Sequence, residues 1–448
     1  MRILAVLFGC LVYLLGAMSR VAVPGMVFEK IASEYALSPS QVALLPSVGV
    51  FGCLAFIGIG GVAVDRFGWM KMLLFGSLLQ AFGYIPVHES SSLLLMLAGE
   101  FLNGGGRTIV YLSILKLFDV SFERRYFAAL IGIFYLFSYG GTLSASAVFP
   151  SLETLCGSWQ LAARAINVGT LTLAALIALV VCFGKREETS STIREAFPWR
   201  GMAKSFAEPM ARRAILVTGL NIAVYWSFLC VSAAPYARSV GSVSLVSEMN
   251  WVVMFGMVFM GSVSYWLGNR RRPFFIWGAF ALALGFALLA FAPSGFGVSH
   301  AAYLLIGAGY GVTSVLLAGT KECVAPVYMA SAIGFTNFFA NIVQIGGNQL
   351  SGRLMANGPE GYPWIFTMYF ILALISFVLA LKVKKGSSSE CENAISYPLF
   401  MTGCKEMKTG CKHANDRPFG PLGGPGAVFT CSHPCTSPVW RVSRDRAA

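Results

Sequence analysis

The sequence predicts an all-α integral membrane protein, with twelve transmembrane helices in two pseudo-symmetric six-helix bundles. Composition points there first: of 448 residues, 56% are hydrophobic and only 12% charged. A soluble domain carries about 25% charged residues, so lipid must be the main solvent of this chain. Mean hydropathy is correspondingly high, at +0.69. The second observation is length. Apolar runs recur at about twenty residues each, enough to cross roughly 30 Å of hydrocarbon. The third is the placement of basic residues, which gather in alternate loops.

The predicted spans are 3–27, 41–64, 69–87, 92–117, 127–150 and 162–184, then 212–236, 245–268, 273–293, 299–320, 329–352 and 362–383. The first could be mistaken for a secretory signal. No small-residue cleavage site follows it, however, and apolar character resumes after Arg20, from Val21 to Val27. It therefore reads as a retained helix. Six helices (1–184) are separated from six more (214–385) by a polar connector (185–213), and a Cys-, Gly- and Pro-rich tail (386–448) reads as disordered.

Charge placement checks the helix count. With the N-terminus in the cytoplasm, that side collects Arg66, Lys71, Lys116, Arg124, Arg125, Lys185, Arg186, Arg200, Arg212, Arg213, Arg270, Arg271, Arg272, Lys382, Lys384 and Lys385. The opposite side has Lys30, Arg164, Arg238 and Arg353. One helix more or fewer would scramble this asymmetry, which places both termini in the cytoplasm of a multi-pass protein of the cell (inner) membrane. The net charge of +13 is thus an orientation signal and not a nucleic-acid footprint.

Cysteines at 10, 53, 156, 182, 230 and 323 lie on separate apolar segments and read as lone buried thiols. In the tail, Cys431, His433 and Cys435 lack the paired spacing of zinc sites, so no metal and no cofactor is expected. Nor is there a phosphate-cradling Gly-x-x-x-x-Gly-Lys loop or a nucleophile constellation, which argues against an enzyme. His88 and His300 read as incidental residues of outer loops.

Between the second and third spans the chain reads Gly61-Val-Ala-Val-Asp65-Arg66-Phe-Gly68-Trp-Met-Lys71. Gly61 would let two helices approach closely, and Gly68 would permit the tight reversal. Asp65 can pair with a basic group or cap a helix N-terminus. The matching loop half a chain later reads Gly261-Ser-Val-Ser-Tyr265-Trp266-Leu-Gly268-Asn-Arg270-Arg271, with the glycines and the basic end kept and the aspartate lost.

The first segment resembles the loop motif of the major facilitator superfamily, G-x-x-x-D-R-x-G-x-x-[RK], in the loop where that family carries it. Further segments resemble bacterial sugar-phosphate and organic-anion permease-like members: Arg20-Val-Ala-Val-Pro24-Gly25, Leu115-Lys116-Leu117 before Phe122-Glu-Arg124-Arg125, Lys321-Glu322, Gly334-Phe335-Thr-Asn337 and Gly346-Gly347-Asn-Gln349. The resemblance implies a secondary transporter working by alternating access around a site near the bilayer midplane. It implies a small-molecule substrate, the lipid bilayer as surroundings, coupling to a proton or counter-ion, and no nucleic-acid partner.

Departures narrow the substrate. Glu100 stands where many relatives have an arginine, and Ser138-Tyr-Gly140-Gly141 replaces the Gly-Pro signature of drug–proton antiporters. Asn221 to Pro235 contains no arginine, which speaks against exchange of a phosphate ester.

Ionisable residues within spans are costly and mark function. Arg20 and Glu100 both lie about 10–12 Å below the outer boundary by helical rise, so a contact between them is expected. Arg107, two turns deeper than Glu100, and Asn103 between them make a polar stripe. Arg20 and Arg107 are the expected binders of a small organic anion, by bidentate hydrogen bonds. Glu100 has two readings, a partner for Arg20 in the empty site or a proton carrier, with a purely structural salt bridge as the bland alternative. On the seventh span Asn221 and Tyr225, one turn apart, are the second-half candidates, with Asn337 and Asn341 on the eleventh; such asparagines are often interhelical glue. The rival function is a transporter-shaped sensor that binds a solute and signals to a partner without net flux.

Overall fold

The computed structural model describes residues 2–122, 127–183, 206–267, 270–292, 295–324 and 329–383. Arg124, Arg125, Gly268, most of the connector and the chain after Val383 lie outside the described residues. Among those described there is no strand, and the helices fall into twelve spans. We label them α1 (Arg2–Val21), α2 (Leu44–Phe67), α3 (Trp69–Glu89), α4 (Leu93–Ser121), α5 (Phe127–Ala147) and α6 (Trp159–Phe183). The second set is α7 (Pro209–Ser227), α8 (Ser244–Trp266), α9 (Arg272–Phe291), α10 (Phe296–Gly311, continued by Thr313–Glu322), α11 (Met329–Met355) and α12 (Gly361–Leu381).

Nine membrane-length stretches of the described residues are apolar enough to cross a bilayer unaided. Helices α4, α5 and α11 are not among them; Glu100, Asn103 and Arg107 interrupt the apolar run of α4, and Asn337, Asn341, Gln344 and Asn348 that of α11. Membrane helices that are polar in this way face protein rather than lipid. Large apolar side chains such as Phe82, Leu95, Phe259 and Ile371 are exposed on the outside of the bundle, where lipid is their solvent.

Helix ends follow local chemistry. Pro209 and Pro273 sit in the first turns of α7 and α9, where a missing N–H costs nothing. Gly68 alone separates α2 from α3, at φ 87° and ψ 147°, a conformation closed to side chains with a Cβ. The predicted reversal there is therefore real.

Packing repeats with a shift of six helices. In the first half α2 packs on α4, α3 on α4 and α6, and α1 on α5 and α6. In the second half α8 packs on α10, α9 on α10 and α12, and α7 on α11 and α12. The repeat extends to single contacts. A Cβ on Gly76 would stand 3.0 Å from the carbonyl oxygen of Gly106, and one on Gly278 the same 3.0 Å from that of Gly309. Helix α1 breaks within Ala22–Met26, where Val23 is extended at φ −125° and ψ 117°, α7 passes into a π-helical turn at Phe228–Ser232, and the two stretches touch. Kinks of this kind need an inserted residue or proline, and they recur at functional sites.

The halves meet along α5 with α8 and α2 with α11. Gln349 Nε2 donates to Ala43 O and to Ser47 Oγ, each at 3.0 Å, and Asn250 Nδ2 donates to Ser146 Oγ at 3.1 Å. Arg238, past the end of α7, pairs with Glu29 at 3.2 Å and also donates to Met26 O. All of these lie at the end where α1 finishes and α2 starts. At the other end, a Cβ on Gly61, Gly261 or Gly334 would meet nothing within 4 Å. Among the described residues, the close helix approach expected at Gly61 is thus not made in this conformation.

Candidate functional site

The charged centre grows from three elements: the last helical turn of α1, the middle of α4, and the facing surfaces of α7, α10 and α11. Arg20 stands two residues before the broken turn of α1 (20 against 22). Its guanidinium reaches across to the second half, where Nη2 donates to Gln344 Oε1 at 3.1 Å and the carbon lies 4.1 Å from the centroid of the Trp226 ring. Among the described residues no carboxylate is within ion-pair distance of it.

The expected Arg20–Glu100 contact is not formed. Glu100 points into the seam between α2 and α4, where Gly49 makes room: a Cβ there would stand 2.9 Å from Glu100 Oε2. Asn103 Nδ2 donates to that oxygen at 3.5 Å, while Glu100 Oε1 and Asn103 Oδ1 have no partner among the described residues. Equal depth along two helices does not make two side chains meet; azimuth decides, and the two residues face different neighbours.

Arg107 continues the polar stripe as the sequence predicted. It is only 4% exposed, and it donates to Gly16 O at 3.3 Å and to Cys53 Sγ at 3.4 Å. It too is in no ion pair among the described residues. Two guanidinium groups without a carboxylate partner therefore stand in the first half at mid-depth.

Asn221 and Tyr225 do share a helical face, but that face is packed inside the second half. Asn221 Oδ1 accepts from Ser376 Oγ at 3.0 Å, binding α7 to α12. Tyr225 donates to Asn250 Oδ1 at 2.7 Å and stacks on Tyr310, with centroids 3.7 Å apart and planes 6° from parallel. Trp226, one residue further, is the side chain that faces Arg20. Its Nε1 donates to Tyr310 Oη at 2.8 Å, and Tyr310 Oη is hydrogen-bonded to Tyr139 Oη of the first half at 3.0 Å. Asn337 and Asn341 are half-buried on α11.

Sequence reasoning missed Trp226, Tyr310, Tyr139 and Gln344. The internal repeat held the signal. Trp226 precedes its broken turn by two residues (226 against 228), as Arg20 does. Tyr310 follows Gly309 as Arg107 follows Gly106, the two glycines that pack alike. Aromatic residues in the second half thus hold the places of both arginines in the first.

The loop motif is also built. Asp65 pairs with Lys116 of α4 at 2.8 Å, tying α2 to α4 inside the first half. In the second half Arg271, at the loop position that Lys71 holds in the first, pairs with Glu322 at the end of α10, also at 2.8 Å. Arg66 and Lys71 are exposed, and Arg66 lies 5.6 Å over the Phe67 ring. Arg270 is exposed as well. His88 is not in a loop: it is buried at the end of α3, against Glu89 at 3.1 Å and Asn167 at 3.4 Å. His300 lies within α10 and pairs with Glu248 at 2.6 Å. Among the described residues no group of His, Cys, Asp and Glu is placed to hold a metal.

Twelve helices in two repeated sets, closed at one end around a polar centre, define a membrane carrier. The chain belongs to the Major Facilitator Superfamily, whose family model matches residues 9–348. It is a multi-pass membrane protein and a secondary transporter of small molecules. An uncharacterised MFS-type transporter of Mycobacterium tuberculosis, found in two strains, is 24% identical over 351 residues, covering 73% of this chain and 80% of the relative. Among solved structures, a bacterial homologue of the human lysosomal transporter Spinster, inward-facing and unoccupied, superposes with a TM-score of 0.67 at 15% identity, covering 86% of this chain and 99% of the other. The nucleoside transporter NupG, in a point-mutant form, gives 0.64 at 14% identity, covering 85% and 98%. At such identities these likenesses speak for the fold alone.

Proposed function

We propose that this chain carries a small organic anion across the cell membrane by alternating access, with residues 1–184 and 214–385 as the two moving bundles. The observation that carries the reading is Arg20: a first-half guanidinium without a carboxylate partner among the described residues, already touching the second half through Gln344 and Trp226. An anion arriving there accepts from Arg20, and from Gln344 Nε2, which has no partner among the described residues. Arg107 draws it inward by its field. Because the basic loops lie at the open end, that end is the cytoplasmic one, both termini are cytoplasmic, and the conformation is the inward-facing state of the cycle.

Glu100 supports proton coupling. One of its oxygens is unpartnered, and it shares α4 with Arg107, so its protonation and the occupancy of the site act on the same charged stripe. The test is uptake of a panel of labelled organic anions into sealed proteoliposomes, wild type against Arg20→Ala. Saturable uptake lost in the variant, with normal insertion, supports the reading. Uptake indifferent to Arg20→Ala removes the arginine from the path. Binding without flux points to a sensor instead.

A further inference from the structure

We infer that the solute is an aromatic carboxylate, and that Trp226, held in place by Tyr310, selects its ring while Arg20 takes its charge. The inference rests on the organic-anion reading and adds the substrate class to it.

The argument starts from the internal repeat. A symmetric carrier of a doubly charged solute would place cations at equivalent positions of both halves. Here the equivalents of Arg20 and Arg107 are Trp226 and Tyr310, so one wall is cationic and the facing wall aromatic. The polarity of the two walls matches a ligand with a charged end and a flat apolar end.

The contacts of Arg20 match the same ligand. Arg20 lies 4.1 Å over the Trp226 ring and donates to Gln344 Oε1. Both partners are weak substitutes for a carboxylate: a neutral amide oxygen, and a ring quadrupole worth about 0.5–2 kcal/mol. A carboxylate between Arg20 and Gln344 Nε2 replaces the first with a bidentate charged pair. Drawing the guanidinium off the indole frees the ring face, and a second flat ring attached to that carboxylate is the group that covers it best. The solute thereby takes the place of both the amide and the indole at Arg20.

The aromatic wall is held rigid for this task. Trp226 Nε1 is tied to Tyr310 Oη at 2.8 Å, Tyr310 is stacked on Tyr225 at 3.7 Å, and Tyr225 is anchored on Asn250 at 2.7 Å. The polar edge of the indole is thus spoken for, while its face is turned to Arg20. A ring held by its edge presents its face without loss of rotamer freedom on binding.

The experiment uses the full chain in proteoliposomes, measuring the direct binding of labelled benzoate, cyclohexanecarboxylate, benzyl alcohol and phenethylammonium, each by itself. Benzoate is expected to bind about two- to tenfold more tightly than cyclohexanecarboxylate, the range aromatic pairing supplies beyond area. Trp226→Leu should bring benzoate down to the level of the saturated acid, and Trp226→Phe should restore part of the preference. Arg20→Lys should weaken both acids alike. Equal affinity for the two acids in the wild type overturns the aromatic inference and leaves the organic-anion reading standing. Failure of both acids, with benzyl alcohol or phenethylammonium binding in their place, overturns the organic-anion reading itself. Should Trp226→Leu fail to insert, the wild-type ratio and the Trp226→Phe variant still decide the matter.

Discussion

Arg238 pairs with Glu29 at 3.2 Å, and the same guanidinium donates to the carbonyl of Met26 in the broken turn of α1. The end of α7 is thereby fastened to the end of α1 across the closed face of the carrier. Exposed ion pairs are each worth about 0–1 kcal/mol, so this clasp biases an equilibrium rather than locking it. Carriers need such marginal ties, because each must break once per cycle.

Breaking the clasp should therefore favour the opposite state. In a variant retaining Cys230 as the only cysteine, Arg238→Ala is expected to raise labelling of Cys230 by a membrane-impermeant maleimide. Cys230 is fully buried just behind the clasp, in the broken turn of α7. A few-fold increase is expected, since about 1 kcal/mol corresponds to roughly a fivefold population shift. Unchanged labelling would show that Arg238 does not hold the gate.

The loop-motif tie should behave differently, because Asp65 and Lys116 belong to one half. Asp65→Asn is expected to cost less than about 1 kcal/mol of thermal stability, the pair being partly exposed. Transport should fall more than stability does, and the charge-swapped pair Asp65→Lys with Lys116→Asp should recover part of it. Full recovery of flux by Asp65→Asn alone would leave the motif without a dynamic role.

Gly68 gives a purely conformational test. At φ 87° and ψ 147° a β-branched side chain is strained by about 1–3 kcal/mol. Gly68→Val should lower the midpoint of thermal unfolding in detergent, whereas Gly61→Ala, whose Cβ meets open space, should leave it unchanged in this conformation. If the closed-up state needs a bare backbone at position 61, Gly61→Ala will slow transport without loss of stability.

Proton coupling through Glu100 predicts that an inward proton gradient stimulates wild-type uptake and has no effect on Glu100→Gln. Stimulation retained in that variant would assign coupling elsewhere. Truncation after Lys385 should leave both insertion and flux intact.

Much of this was legible along the chain. Span length and the alternation of basic loops are one-dimensional quantities, imposed by bilayer thickness and by the side on which Lys and Arg remain. Twelve helices and Gly68 followed from them. The polar stripe Glu100, Asn103 and Arg107 was legible too, because helical periodicity places residues three and four apart on one face. What failed were pairings between helices. Arg20 was matched to Glu100 by depth, yet it meets Gln344 and Trp226, residues 324 and 206 positions away (344 − 20 and 226 − 20).

The sequence by itself determined that the chain spans a membrane, how often, with which loops on one side, and which buried charges it must accommodate. Only the tertiary structure decided which side chains face one another. Depth along a helix follows from counting residues, but azimuth and the register between halves come from packing, here around the extended Val23 that kinks α1 and the π-helical turn that follows Trp226. Packing faces Trp226 to Arg20 and Glu100 to Gly49.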